Sequence, residues 1–215
     1  MQHRIRLELL HERHAHDLFR AGKDPDTWLY LPGSPFRSHA DARAWILAAQ
    51  QEYRKGKRIP YAIVEIAGNR AVGTTSFSHM RKEHRSTMIG WTWLAPECQG
   101  TGINAESKYL LLEHAFETMR AIRVDLRIDE RNVKSQRAIE RLGAVKEGIL
   151  RNHMIEDGVV RNTVYYSFID SEWPQAKAHI AGLIRNARNQ AKSGSEATPE
   201  STPHFMEVSP ILIPD

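Results

Sequence analysis

The chain has 215 residues, 26% of them charged and 41% hydrophobic, a net charge of +4 and one cysteine, Cys98. These values describe one ordinary globular domain with a sizeable core and exclude an intrachain disulfide. Charges throughout the first twenty residues and the lack of a long apolar run speak against a secretory leader or a membrane span and for the cytoplasm. Gln190 to Asp215 hold one Lys against Glu196, Glu200, Glu207 and Asp215, which leaves about +7 on the remainder. That excess suits a polyanionic ligand; no aromatic-interleaved basic stretch points to direct nucleic-acid binding.

In chain order, Arg4 to Leu9 alternates as a strand, and His11 to Ala21 has helical spacing. The run His11-Glu12-Arg13-His14 misses the metal-binding spacing H-E-x-x-H by one residue, so no metal is expected. Asp24 to Arg37 holds three prolines with Trp28, Tyr30 and Phe36. It reads equally as a loop pinned by its aromatics or as a substrate-side wall. Ala40 to Tyr53 is a second helix. Pro60 to Ile66 and Ala71 to Phe77 form a hairpin around Gly68-Asn69, followed by a polar link from His79 to Thr87.

The chain is organised around a central strand, turn and helix. Met88 to Leu94 reads as the strand, Gln99 to Asn104 as a glycine turn, and the residues from Ala105 to Met119 as a helix burying Tyr109, Leu112, Phe116 and Met119. Ile122 to Ile128 is the next strand, so the two strands should pair in parallel. A helix from Val133 to Leu142 ends at Gly143. Val145 to Arg151 and Val159 to Ile169 are strands joined at Glu156-Asp157-Gly158, and Glu172 to Ala187 is a last helix. Residues 1–188 form one domain, and 189–215 have the composition of a disordered tail, in which Ile211-Leu212-Ile213 is the apolar exception.

Gly100 and Gly102 let several N–H groups converge at the positive end of the following helix, which makes an anion site. The loose G-x-G-x-x-A dinucleotide pattern also fits, with Asp125 at the expected distance, but Pro96, Glu97 and Cys98 separate the turn from its strand. A single parallel step among antiparallel hairpins is not a doubly wound sheet. The phosphate-loop pattern G-x-x-x-x-G-K-[ST] fails.

The pattern Q-x-x-G-x-[GA] fits best, on Gln99, Gly102 and, as a departure, Asn104. It resembles the acyl-CoA pyrophosphate loop of the GNAT N-acetyltransferases. A second segment, Asn132, Ser135 and Ile139 to Ala144, resembles the RimJ/RimL-like branch, as do Glu147 to Arg151 and Tyr165-Tyr166-Ser167. The resemblance covers roughly residues 3 to 185. It implies an α+β fold whose mostly antiparallel twisted sheet contains one splayed parallel pair. It further implies acetyl-CoA as acyl donor, without a metal, and transfer to a primary amine on a protein N-terminus or small molecule. A homodimer is implied too.

By the same resemblance, Trp93 and Leu94 hold the pantetheine through their backbone, and Gln99, Gly100, Thr101, Gly102, Ile103 and Asn104 form the phosphate loop. Asn132 and Ser135 meet the cofactor, with Ser135 as the acid for the departing thiolate and Tyr166 a further candidate. Related enzymes often place a carboxylate base where this chain has Met88. Glu83 and His84 lie just upstream, Cys98 is near a helix N-terminus that favours its thiolate, and Arg141 or Lys108 is in reach of cofactor phosphates or on a solvated helix face. Met88 keeps open an alternative, an acyl-CoA-binding or regulatory module without catalysis.

Overall fold

The computed structural model describes residues 2–156 and 158–193. Among the described residues, seven strands form one sheet: β1 (Ile5–Leu9), β2 (Arg58–Glu65), β3 (Arg70–Arg81), β4 (Ser86–Leu94), β5 (Arg123–Asp129), β6 (Val145–Glu156) and β7 (Val159–Ile169). Their spatial order is β1-β2-β3-β4-β5-β7-β6. Every neighbouring pair is antiparallel except β4 and β5, which run parallel as the βαβ step requires.

The helices are α1 (Ala15–Ala21), α2 (His39–Arg54), α3 (Ile103–Glu113), α4 (Val133–Arg141) and α5 (Trp173–Ser193). A capping box starts α2: Ser38 Oγ accepts from Asp41 N, while the Asp41 carboxylate accepts from Ser38 N at 2.8 Å. Between α1 and α2, the segment 24–37 is a loop pinned to the core by its aromatics. Trp28 and Phe36 are buried and pack with Trp45 and Trp93, while Leu29 is 64% exposed.

Several boundaries differ from the sequence expectation. The polar link at 79–87 is largely strand, because β3 continues to Arg81 and β4 starts at Ser86; only Lys82–His84 form a turn of 3-10 helix between them. Charged residues there alternate with sheet contacts and conceal the strand. After Glu113 the backbone widens into a π-helix, His114–Thr118. That wider turn changes the phase of the face, so Met119 is 38% exposed while Phe116 stays buried. The last helix extends to Ser193, past its expected end at Ala187 and past the expected domain boundary at 188. Asp157 of the β6–β7 turn and residues 194–215, including Ile211-Leu212-Ile213, lie outside the described residues.

Helix α3 is not half-exposed. Glu106, Ser107, Lys108, Tyr109, Leu110, Leu111 and Leu112 are all buried. One side is sealed by the N-terminus, where Arg4 N donates to Glu106 at 2.6 Å, and another by α5, whose Arg188 reaches Glu106 at 3.1 Å and whose Trp173 stacks on Phe116. A buried carboxylate is tolerable only with such partners.

Candidate active site

The parallel pairing of β4 and β5 is short: Ser86 faces Arg123, Thr87 faces Val124, Met88 faces Asp125, and there it ends. Beyond this point the strands diverge around a cleft of about 440 Å³. One cause is a bulge in β4. Thr74 pairs with Trp93 and Ser76 with Gly90, so Thr75 alone opposes both Trp91 and Thr92. Trp91 takes φ +54°, and Thr74 Oγ1 donates to its carbonyl at 3.2 Å. Residues 89–94 all line the cleft.

At one end of the cleft stand Gln99, Gly100 and Asn104, at the start of α3. Among the described residues no side chain caps this helix, so its first N–H groups have no partner within the helix or from a cap. Gly100, at φ +76°, has no atom within 4 Å of where a Cβ would be, which leaves room for a ligand against the backbone. The Gln99 side chain donates to Leu94 O at 3.2 Å and accepts from Lys134 Nζ, bringing a cation from α4 to the same end. This donor set, uncapped N–H groups with one lysine and space for close approach, fits a pyrophosphate.

Gly102, Thr101 and Ile103 do a different job in the same turn. At φ +90°, Gly102 would place a Cβ 2.8 Å from Ala187 Cβ and 3.0 Å from Arg4 Nη2. Arg4 Nη2 also donates to Thr101 O at 3.0 Å, Thr101 Oγ1 donates to Cys98 O at 2.7 Å, and Ile103 is buried. These residues hold the turn from behind, and their side chains do not line the cleft.

Asn132 caps α4, with Oδ1 accepting from Ser135 N at 3.0 Å, and both residues line the cleft. Trp93 and Leu94 line it as well. The far wall comes from Asp26, Tyr30 and Leu31 of the loop before α2, and from Arg127, Asp129 and Arg161. Hydrogen bonds from Arg131 hold the Asp129 carboxyl below its ordinary range. Arg127 has a buried Nε without a hydrogen-bond partner among the described residues and lies 4.9 Å from the Tyr165 ring.

Other candidates are placed elsewhere. Tyr166 is fully buried, and its hydroxyl donates to Glu140 at 2.6 Å; burial and that carboxylate push its ionisation upward. It does not line the cleft. Glu83 and His84 are 4.0 Å apart at the exposed β3–β4 turn, beyond the paired end of β4. Burial, with Glu97 and Glu65, pushes the Cys98 thiol up to about 11, opposite to the effect expected from the helix terminus. His14 is buried against Glu8 at 3.0 Å, and His16 stacks on His39.

Lys108 is the residue that sequence reasoning misplaced. It lies neither on a solvated face nor beside the phosphate end, but buried at 3% exposure with Nζ donating to Thr92 Oγ1 at 2.8 Å. It lines the cleft, and burial alone brings its pKa down to about 7. The four apolar residues after it, Tyr109 to Leu112, were the available signal, since no solvated face survives there.

Residues 4–145 match the acetyltransferase (GNAT) domain family. A Bacillus subtilis (strain 168) protein named "Putative ribosomal N-acetyltransferase YdaF" is 32% identical over 105 residues, 49% of this chain and 57% of that protein. A crystal structure of a "putative acetyltransferase" from T. thermophilus is 36% identical, covering 86% of this chain and 95% of that one, with a TM-score of 0.77. Mycobacterium smegmatis RimJ, solved with CoA-disulfide, shares the fold at 21% identity and a TM-score of 0.70, covering 83% of this chain and 88% of that one. The family match spans most of the described chain, including the splayed strands and the glycine turn, and the chain belongs to the GNAT acetyltransferases.

Proposed function

We propose that the protein is an N-acetyltransferase that moves an acetyl group from acetyl-CoA directly to a primary amine. The observation that carries this reading is the divergence of β4 and β5 after Met88 and Asp125, with an uncapped helix start and Lys134 at one end of the gap. A pantetheine arm in that gap replaces a strand, and its amides are assigned to the backbone of Trp93 and Leu94, which line the gap. Gly100, Asn104, Gln99 and Lys134 take the pyrophosphate. A CoA compound in the RimJ neighbour supports the donor.

Ser135, on the first turn of α4, is the group we assign to protonate the departing sulfur. Asn132 fixes that turn through its bond to Ser135 N. The wall formed by Asp26, Tyr30 and Leu31 receives the amine. A protein N-terminus is the favoured acceptor because a relative carries a ribosomal N-acetyltransferase name; small amines are the other class.

Met88 favours a second reading, an acyl-CoA-binding module without turnover, because a carboxylate base is missing there. Thiol release from acetyl-CoA, measured with a panel of N-terminal peptides, amino acids and polyamines, separates the two. Amine-dependent release supports transfer; acetyl-CoA binding without release for any amine supports the module.

A further inference from the structure

Lys108 is the ionisable group in the cleft that the proposed chemistry leaves unused. It projects from the second turn of α3, where it is buried and its ammonium donates to Thr92 Oγ1. Thr92 Oγ1 lies 2.8 Å from Thr75 Oγ1, so the amine ends a short hydroxyl chain across the β4 bulge. Packing does not account for this choice, because an ammonium taken out of water without a carboxylate is costly and a methionine would fill similar space without that cost.

The other ionisable groups lining the cleft do not offer an equivalent base. Asp129 is engaged by Arg131 at 2.7 Å and faces Arg161 at 3.6 Å. Asp26 is exposed on the rim, Tyr30 is a phenol of the loop wall, and Arg127, Arg161 and Lys134 are cations. Thr92 from β4 and Thr75 from β3 are the polar groups linked to the amine, and burial is the cause that lowers its pKa. Meanwhile Met88, the last paired residue of β4, is apolar.

We propose that Lys108 is the proton acceptor of the transfer reaction, taking the proton of the incoming ammonium directly or through one water beside Thr92. This role rests on the acetyl-transfer reading above. The neutral lysine becomes ammonium as the acceptor becomes a free amine. That amine forms its bond to the thioester carbonyl carbon, the carbon–sulfur bond breaks, and the sulfur leaves as thiolate. The surplus proton on the new amide nitrogen neutralises the thiolate by way of Ser135, and Lys108 returns its proton to solvent. An amine near neutrality is matched to both directions of this traffic.

The test compares wild type with Lys108→Met and Lys108→Arg, using acetyl-CoA and the amine found in the panel. Arginine keeps the charge but cannot lose its proton. Both variants should bind acetyl-CoA within about threefold of wild type yet lose about 100-fold or more in kcat. The wild-type kcat limb near pH 7 should vanish in both, and a carbon-13 titration of the Lys108 side chain should have its midpoint near 7. Turnover by Lys108→Met within threefold of wild type, with the same limb, overturns the role. So does a parallel loss of acetyl-CoA binding, which makes Lys108 a donor-site contact. If wild type acetylates no amine, the transfer reading falls first and takes this role with it, a failure seen before any substitution.

Discussion

Met88 and Asp125 are the last facing residues of β4 and β5, and the gap beyond them is the feature on which the site depends. The gap persists because the β4 bulge commits Trp91 and Thr92 to Thr75 on the other side, and because residues 95–102 carry the chain away before α3 returns.

Ser135 and its cap separate chemistry from stability. Ser135→Ala should lower kcat by about 10-fold or more while acetyl-CoA affinity and unfolding midpoint stay unchanged. Asn132→Ala removes the 3.0 Å cap on Ser135 N and should cost about 1 kcal/mol in denaturant unfolding, with a smaller loss of rate. Equal effects of both substitutions on rate and stability would contradict this assignment.

The two glycines of the turn should differ in kind. Gly102→Ala meets Ala187 at 2.8 Å from a backbone that already has φ +90°, and should destabilise the fold by about 2–3 kcal/mol. Gly100→Ala meets nothing, bears only the cost of positive φ, about 1 kcal/mol, and should weaken acetyl-CoA instead. Urea unfolding and calorimetry on the two variants read these effects apart.

Lys108 also makes a stability prediction. Its folded pKa, about 7, lies below the ordinary 10.5, so between these values the unfolded chain binds more protons and stability rises with pH. Lys108→Met should therefore be more stable than wild type by on the order of a few kcal/mol below pH 7. That advantage should shrink as pH rises toward 10.5. A constant difference across this range would show that the amine is not carrying a buried charge.

Glu8 behaves in the opposite sense. Burial opposes its ionisation, but hydrogen bonds from His14, Arg13 and Arg6 outweigh burial and hold its pKa at about 2, against an ordinary 4.5. The stabilisation is complete above pH 4.5 and disappears as pH falls through 2, because the unfolded chain takes up the proton first. Wild type should thus exceed Glu8→Gln by on the order of 2–3 kcal/mol at pH 6, and the two should converge near pH 2.

The glycine turn, α3 and the parallel return of β5 were legible because each has a local cause: glycines for positive φ, helical spacing, and a crossover that allows one direction. The bulge was not, since Trp91 is held at φ +54° by its neighbours, including the bond from Thr74 Oγ1 on another strand. Nor was the role division within the turn. Whether a Cβ on residue 100 or 102 meets a neighbour depends on α5, more than eighty residues later in the chain. Asn132 and Ser135 were found by pattern, whereas Lys134 reaches the site through a contact with Gln99 that only the fold creates. Tyr166, on a strand face that left its role open, is committed to Glu140.

The proposed donor site is the gap between β4 and β5, with the acetyl-CoA pyrophosphate at the start of α3. The most direct measurement is calorimetric titration of acetyl-CoA into wild type and Asn104→Glu, which adds a negative charge at a cleft-lining position in the first turn of α3 and leaves Gly102 and its packing intact. Saturable one-to-one binding by wild type is expected, with at least about a tenfold weaker affinity in the variant, corresponding to about 1.4 kcal/mol or more. No binding by wild type, or equal binding by both proteins, would rule out that site.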